Sequence, residues 1–189
     1  MDSFRWIAVA ISMLLGIGVT RLLSSAVVIV RNRHEFRLDA LPIAWATFIF
    51  VAQIQFWWAI IELAKLKSVW TLANFLALLS MPLLLFVAAA LVLPHEARER
   101  DLDLRTAFER DGRLALVALA LFNAVACAVD VTWWSADLFS ASGAMICALT
   151  VLPLALLFAS RRAYQLAITA AYAILLVVSE IVNSPAAYR

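Results

Sequence analysis

Six stretches of this chain are apolar over about 20 residues or more, and they constrain the fold more than any other feature. A helix rises about 1.5 Å per residue, so about 20 residues cross a hydrocarbon core that is about 30 Å thick. Apolar residues make up 66% of the 189 residues and charged residues only 15%, against about 25% charged residues in an average soluble protein. A soluble domain of this size could not bury so much apolar surface. We therefore predict an all-α, polytopic transmembrane helical bundle.

The bundle is predicted to have six spans, joined by short connections. The spans are expected at 4–30, 39–63, 70–94, 114–134, 137–159 and 162–183. Residues 1–189 would then form a single transmembrane domain, with no room for a soluble catalytic domain. The first stretch is expected to be a span, because it is too long for the apolar region of a signal peptide and no small-residue cleavage site ends it.

The Lys and Arg residues near the span ends predict the orientation, because cytoplasmic loops are enriched in both. Ten fall on one side and four on the other, with Arg21 left out because it lies inside the first span. The larger group is Arg31, Arg33, Arg37, Arg98, Arg100, Arg105, Arg110, Arg113, Arg161 and Arg162; the smaller is Arg5, Lys65, Lys67 and Arg189. The side with ten is expected in the cytoplasm and both termini outside (N-out/C-out). We expect the membrane to be the bacterial inner membrane.

Six of the seven tryptophans support this threading. Indole favours the water–lipid boundary because its ring is apolar while its N–H needs a partner. With six crossings, the outer boundary receives Trp6, Trp57, Trp58, Trp70, Trp133 and Trp134. Trp45 alone falls elsewhere.

The first span carries a seam of small residues at every fourth position: Ala8, Ser12, Gly16, Thr20 and Ser24. Small side chains at this spacing let two helix backbones approach closely in lipid. We expect a tight helix contact there, either within one chain or between the subunits of a homo-oligomer. Arg21 lies beside the seam, inside the span. It could extend to the inner headgroups, or face the protein and pair with carbonyls, a carboxylate or an anion.

Three carboxylates fall in the outer leaflet under this topology: Glu62, Asp130 and Glu180. Two of them follow an amide by seven residues on the same helix face, since Gln55 precedes Glu62 and Asn123 precedes Asp130. Carboxylates attract a cation, and amide oxygens can replace part of its hydration shell. These five residues are therefore candidates for an ion path, although interhelical hydrogen bonds would explain the same pattern.

Several classes of function are not favoured by this sequence. Its two histidines, His34 and His95, fall in cytoplasmic connections, so a haem held inside the membrane is not expected, and no motif predicts a metal or another cofactor. Cys127 and Cys147 have no ligand spacing and are interpreted as packing residues. No catalytic motif indicates an enzyme. A formal net charge of +2 without a basic stripe gives no reason to expect a nucleic-acid partner.

The longest connection, 95–113, is highly charged and is expected in the cytoplasm, either at the membrane interface or as an extension of the fourth span. Two functions remain open. The first is a small oligomeric channel or transporter for cations, with Glu62, Asp130 and Glu180 as an outer charge cluster above Gln55 and Asn123, working among membrane lipids. The alternative is a non-transporting anchor or sensor subunit that docks a cytoplasmic protein partner through 95–113.

Overall fold

The computed structural model describes residues 2–34, 37–66, 71–94, 103–133 and 140–183. These residues are 91% helical and contain no strand. The helices are α1 (Asp2–Arg31), α2 (Ala40–Leu66), α3 (Leu72–Val92), α4 (Leu104–Ala107), α5 (Arg113–Trp133), α6 (Ala141–Phe158) and α7 (Arg162–Asn183), with a π-helical turn (Phe108–Gly112) between α4 and α5. Six apolar helices therefore lie where the apolar stretches predicted them, and the predicted all-α bundle is confirmed.

Within the described residues, five helical segments are long and apolar enough to cross a membrane, and α6 is a shorter apolar helix. Its 18 residues extend over about 27 Å at 1.5 Å per residue. The predicted fifth span began at residue 137, whereas α6 begins at Ala141. The cause is a cap, because the Ser140 hydroxyl accepts a hydrogen bond from the Gly143 N–H at 3.1 Å.

The helices pack in a closed order of neighbours. From α1 the contacts run to α3, α5, α6 and α7, and then through α2 back to α1, while α2 also touches α3. The Phe56 ring of α2 meets the Phe122 ring of α5 edge-on, with centroids 6.0 Å apart. Large side chains fill the centre, and these are fully buried: Ile11, Leu15, Trp45, Ile49, Leu78, Leu85, Leu116 and Leu119. The middle of the bundle is therefore packed mainly with apolar groups.

The end of the bundle where α1 ends and α2 begins is called here the inner end, after the predicted orientation, and the opposite end the outer end. At the inner end, residues 103–113 of the long charged connection are described. They extend α5 at its N-terminal end, which is one of the two arrangements that the sequence left open. Leu104 and Phe108 are buried, and the Leu104 N–H donates to the Arg37 carbonyl at 3.3 Å. Gly112 has no Cβ, which leaves room for the Phe108 ring against the π turn.

Candidate functional site

A cleft opens on the side of the bundle near its outer end, between α1, α2 and α7. Its volume is about 630 Å³. Phe4, Ala8 and Ser12 line it from α1, Gln55, Trp57 and Trp58 from α2, and Glu180 from α7. Most of its wall is carbon, and the Glu180 carboxylate and the Gln55 amide are polar groups in this apolar wall.

Glu180 and Gln55, two of the five predicted path residues, lie next to each other in this cleft. Their side chains are neighbours across the α2–α7 contact. The Gln55 amide nitrogen is buried and makes no hydrogen bond of regular geometry within the described part of the chain. Glu180 is half-buried and forms no ion pair with any described Lys or Arg. The cleft thus presents a carboxylate that the described chain leaves without a counter-charge.

The small-residue seam of α1 divides at this cleft. Ala8 and Ser12 line its wall, while Gly16, Thr20 and Ser24 are exposed on the outside of the bundle. A Cβ added at Gly16 would meet no atom within 4 Å. The inner part of the seam therefore makes no close helix contact with described residues of its own chain.

The tryptophans that the structure describes lie at the helix ends where the threading put them, with Trp45 apart from the others. Trp6, Trp57 and Trp58 are 76%, 51% and 43% exposed, and all three belong to outer helix ends. Trp133 is half-buried at the end of α5, and Trp70 and Trp134 lie outside the described residues. Trp45 is fully buried, and its indole N–H donates to the Thr169 hydroxyl at 3.1 Å.

Asn123, the third predicted path residue, serves a contact between helices. Its side-chain amide donates to the Leu149 carbonyl of α6 at 2.9 Å. An α-helical carbonyl is normally paired with the N–H four residues on, and that position is Pro153, which has none. Asn123 therefore satisfies an acceptor that proline leaves open, and it also lies within hydrogen-bonding reach of the Tyr172 hydroxyl.

Asp130, another of the five predicted path residues, does not line the Gln55–Glu180 cleft. Asp130 is half-buried on α5, near Cys127, whose side chain faces Cys147 across the α5–α6 contact. Glu62 belongs to α2, but its side chain lies outside the described part. Of the two carboxylates in the predicted outer charge cluster whose side chains are described, Glu180 thus lines the cleft and Asp130 does not.

Arg21 faces the protein, the second of the two orientations left open by the sequence. Its Nη2 donates to the Ala90 carbonyl of α3 at 3.2 Å, and its Nη1 is buried with no partner among described residues. Ala90 is in the last turn of α3, and the residue four positions on is Pro94. Because α3 ends at Val92, the N–H four residues after Ala90 would lie outside the helix whatever the residue, and the Arg21 side chain of another helix donates to this open carbonyl.

Gln53 is a buried polar residue that the sequence analysis missed. It is 1% exposed, and neither atom of its amide has a partner in the described part of the chain. It packs directly on Gly18, where an added Cβ would lie 2.5 Å from the Gln53 amide nitrogen. The helical spacing could have indicated its burial, because Gln53 shares one face of α2 with the apolar residues Ile49, Phe56 and Ile60. That face is buried in the bundle.

At the inner end, Asp39 joins two helices. Its carboxylate accepts from the Arg162 guanidinium at 2.6 and 2.7 Å and from the Leu41 N–H at 2.7 Å. Burial alone would raise the pKa of this carboxyl. The hydrogen bonds from Arg162 and Leu41 and the nearby Arg162 and Arg105 charges outweigh burial, so the pKa lies below its ordinary value of 3.8.

Across the described ranges, no group of three or more His, Cys, Asp or Glu side chains is placed to hold a metal ion. His34 is exposed at the inner end, and His95 lies outside the described residues. Comparison with protein families, with curated proteins and with solved structures gives no match.

Proposed function

We propose that this protein is a small transporter or channel for cations in the bacterial inner membrane, working as a homo-oligomer. The observation that carries the proposal is the Glu180 carboxylate beside the Gln55 amide in an apolar cleft at membrane depth. Glu180 is about 11 Å from the midpoint of α7, within a hydrocarbon half-thickness of about 15 Å. Acidic residues at such depth are costly and mark ion or substrate paths in membrane proteins.

The packing of the bundle favours a cation path along the side of the bundle over one through its centre. The centre is filled by fully buried side chains such as Trp45, Ile49 and Leu119, so a hydrated path there would need rearrangement of the core. The Gln55–Glu180 cleft already combines a negative charge, an amide and open space. Cations would therefore enter from the outer leaflet along α1, α2 and α7.

The test is flux into liposomes that contain the purified protein, measured for K⁺, Na⁺, H⁺ and the organic cation ethidium, with Cl⁻ as the anion reference. We expect flux of at least one cation and a roughly tenfold or larger loss in Glu180→Gln, equivalent to about 1.4 kcal/mol. Glu109→Gln is the matched control, since it removes the same charge from an exposed carboxylate at the inner end. Equal cation flux in Glu180→Gln and the wild type would contradict the proposal.

The docking alternative is supported by one separate observation. Buried Leu104 and Phe108 fix the residues before α5 on the bundle, so that Arg105, Glu109 and Arg110 are presented outward on an ordered helical turn. A partner that reads this surface would co-purify with the wild type. It would be lost when Arg105 and Arg110 are changed to Gln, which keeps Leu104 and Phe108 in place. Unchanged co-purification in that variant would exclude this surface.

A further inference from the structure

We propose that the Gln55–Glu180 cleft binds amphiphilic cations, molecules that carry an ammonium group on an apolar body. This inference rests on the proposed function, because it specifies the cargo class of the same site. The occupant is indicated by charge complementarity and by the composition of the wall. One carboxylate without a described counter-charge faces a space bounded mainly by aliphatic and aromatic carbon.

The wall is poorly suited to an inorganic cation. Such an ion gives up water ligands on entry and needs oxygen atoms in their place. Apart from the Glu180 carboxylate, the described side chains that line the cleft offer the amide oxygen of Gln55 and the hydroxyl of Ser12. Most of the hydration shell would be lost without replacement, which disfavours binding of a bare ion.

An ammonium group on an apolar body loses much less hydration free energy when it enters the cleft. Its hydration is weaker, its charge pairs with Glu180, and indole faces attract ammonium groups within about 6 Å. Trp57 and Trp58 supply such rings at the cleft. The apolar body packs against Phe4 and Ile54, and a volume of about 630 Å³ lies within the range of about 300–1,000 Å³ usual for small-molecule sites.

The position of the cleft explains how such a ligand would arrive. The cleft is open at the side of the bundle, and its exposed tryptophans are near the outer helix ends. Amphiphilic cations collect at this depth of a bilayer, with the charge at the interface and the tail among acyl chains. The ligand would thus enter sideways from the outer leaflet.

The experiment uses the whole chain in nanodiscs of phosphatidylcholine, with 11-bromoundecyltrimethylammonium as the probe. Bromine quenches nearby indoles, so binding is followed by tryptophan fluorescence. The same bromoalkyl chain ending in an alcohol is the uncharged control ligand. We expect saturable quenching by the ammonium, at least tenfold weaker apparent affinity in Glu180→Gln, and wild-type affinity in Glu109→Gln.

Two further variants test the shape of the cleft and the possibility that a second copy of the chain covers it. Ser12→Leu places a larger side chain in the cleft and keeps Glu180, and it should also weaken binding; thermal unfolding of each variant shows whether it folds. Equal affinity for the alcohol and the ammonium would mean that acyl chains are the ordinary occupants, and unchanged affinity in Glu180→Gln would also overturn the inference. If a second copy of the chain covers the cleft, Ser12→Cys would cross-link two copies and the ammonium would not bind.

The outcome is separable from that of the proposed function. K⁺ or Na⁺ flux that needs Glu180, without ammonium binding, overturns this inference and leaves cation transport in place. Ammonium binding that needs Glu180, without flux of any cation, supports the inference and contradicts transport.

Discussion

Two polar side chains in this protein donate to backbone carbonyls of other helices that lack a helical N–H partner. Arg21 donates to Ala90 in the last turn of α3, and Asn123 donates to Leu149, whose usual partner position is Pro153. An unpaired carbonyl is costly in a bilayer because no water reaches it. The sequence left open an anion contact for Arg21 and a place on an ion path for Asn123. In the structure Arg21 Nη2 and the Asn123 amide nitrogen join helices, while Arg21 Nη1 has no partner among the described residues.

The pair of Asn123 and Pro153 predicts a specific coupling. Pro153→Ala restores an N–H to α6, so the Leu149 carbonyl no longer needs Asn123. Asn123→Ala should therefore cost about 0.6–2 kcal/mol more in the wild type than in the Pro153→Ala background. Unfolding free energies of the four proteins in detergent measure the difference. Additive effects would show that the hydrogen bond contributes no stability.

Two glycines of α1 predict opposite responses to the same change. Gly18→Ala forces a methyl group against the buried Gln53, whereas Gly16→Ala meets open space. Overpacking of a tight contact typically costs about 1–3 kcal/mol, and Gly18→Ala should be less stable than Gly16→Ala by that amount. Thermal unfolding in a detergent that keeps the protein monomeric makes the comparison. Equal stability would mean that Gln53 moves away freely.

At the scale of elements, the inner ends of α2 and α7 are held together by one charged residue in the connection before α2. Asp39 caps α2 through the Leu41 N–H and pairs with Arg162, the first residue of α7. These helices touch again through Trp45 and Tyr172, whose ring centroids are 4.8 Å apart. Loss of the Asp39 contact should therefore loosen the start of α7 before it affects the core.

This contact predicts how stability depends on pH. Since the pKa of Asp39 is lowered by folding, its contribution is fully present above the ordinary value of 3.8 and is lost as pH falls through the lower folded value. Asp39→Asn keeps a good cap but removes the charge, and should cost about 1–3 kcal/mol at pH 7. The difference from the wild type should shrink below about pH 4. A difference in unfolding free energy that stays constant from pH 7 to pH 2 would contradict this account.

The sequence predicted the elements well because span length is set by bilayer thickness and the residues inside a span must be apolar. It placed Gln55 and Glu62 on one face of α2, but a helical pattern does not say which helix lies opposite that face. The meeting of Gln55 with Glu180 therefore came from the tertiary structure. The same limit explains Asn123, whose partner is a backbone carbonyl 26 positions away in the chain, and Gln53, whose amide sits on an otherwise apolar face.

At the scale of the whole molecule, the proposed homo-oligomer would join through the exposed face of α1, towards the inner end. Gly16, Thr20 and Ser24 form an exposed, shallow strip, and the Thr20 hydroxyl is satisfied by the Gly16 carbonyl at 2.8 Å. A strip of this kind lets a second backbone approach closely. Such a contact would lie closer to the inner end than the Gln55–Glu180 cleft and would leave the opening of the cleft accessible.

The strip predicts that Gly16→Leu separates the subunits without unfolding them. Since nothing lies within 4 Å of the Gly16 position in its own chain, the fold should tolerate the larger side chain. Self-association, measured by energy transfer between labelled copies over a series of protein-to-lipid ratios, should weaken roughly tenfold or more. Val9→Leu enlarges another exposed α1 residue and is the control. Unchanged association in Gly16→Leu would place the subunit contact elsewhere.

The hydrogen bonds of Arg21 and Asn123 to open backbone carbonyls also bear on the order in which the helices are made. In both, the donor precedes the acceptor along the chain, since Arg21 of α1 serves α3 and Asn123 of α5 serves α6. During synthesis from the N-terminus, each helix with an open carbonyl enters the bilayer after the helix that will satisfy it. The order of translation thus matches the order in which donors are needed, and each open carbonyl reaches the bilayer when its donor is already there.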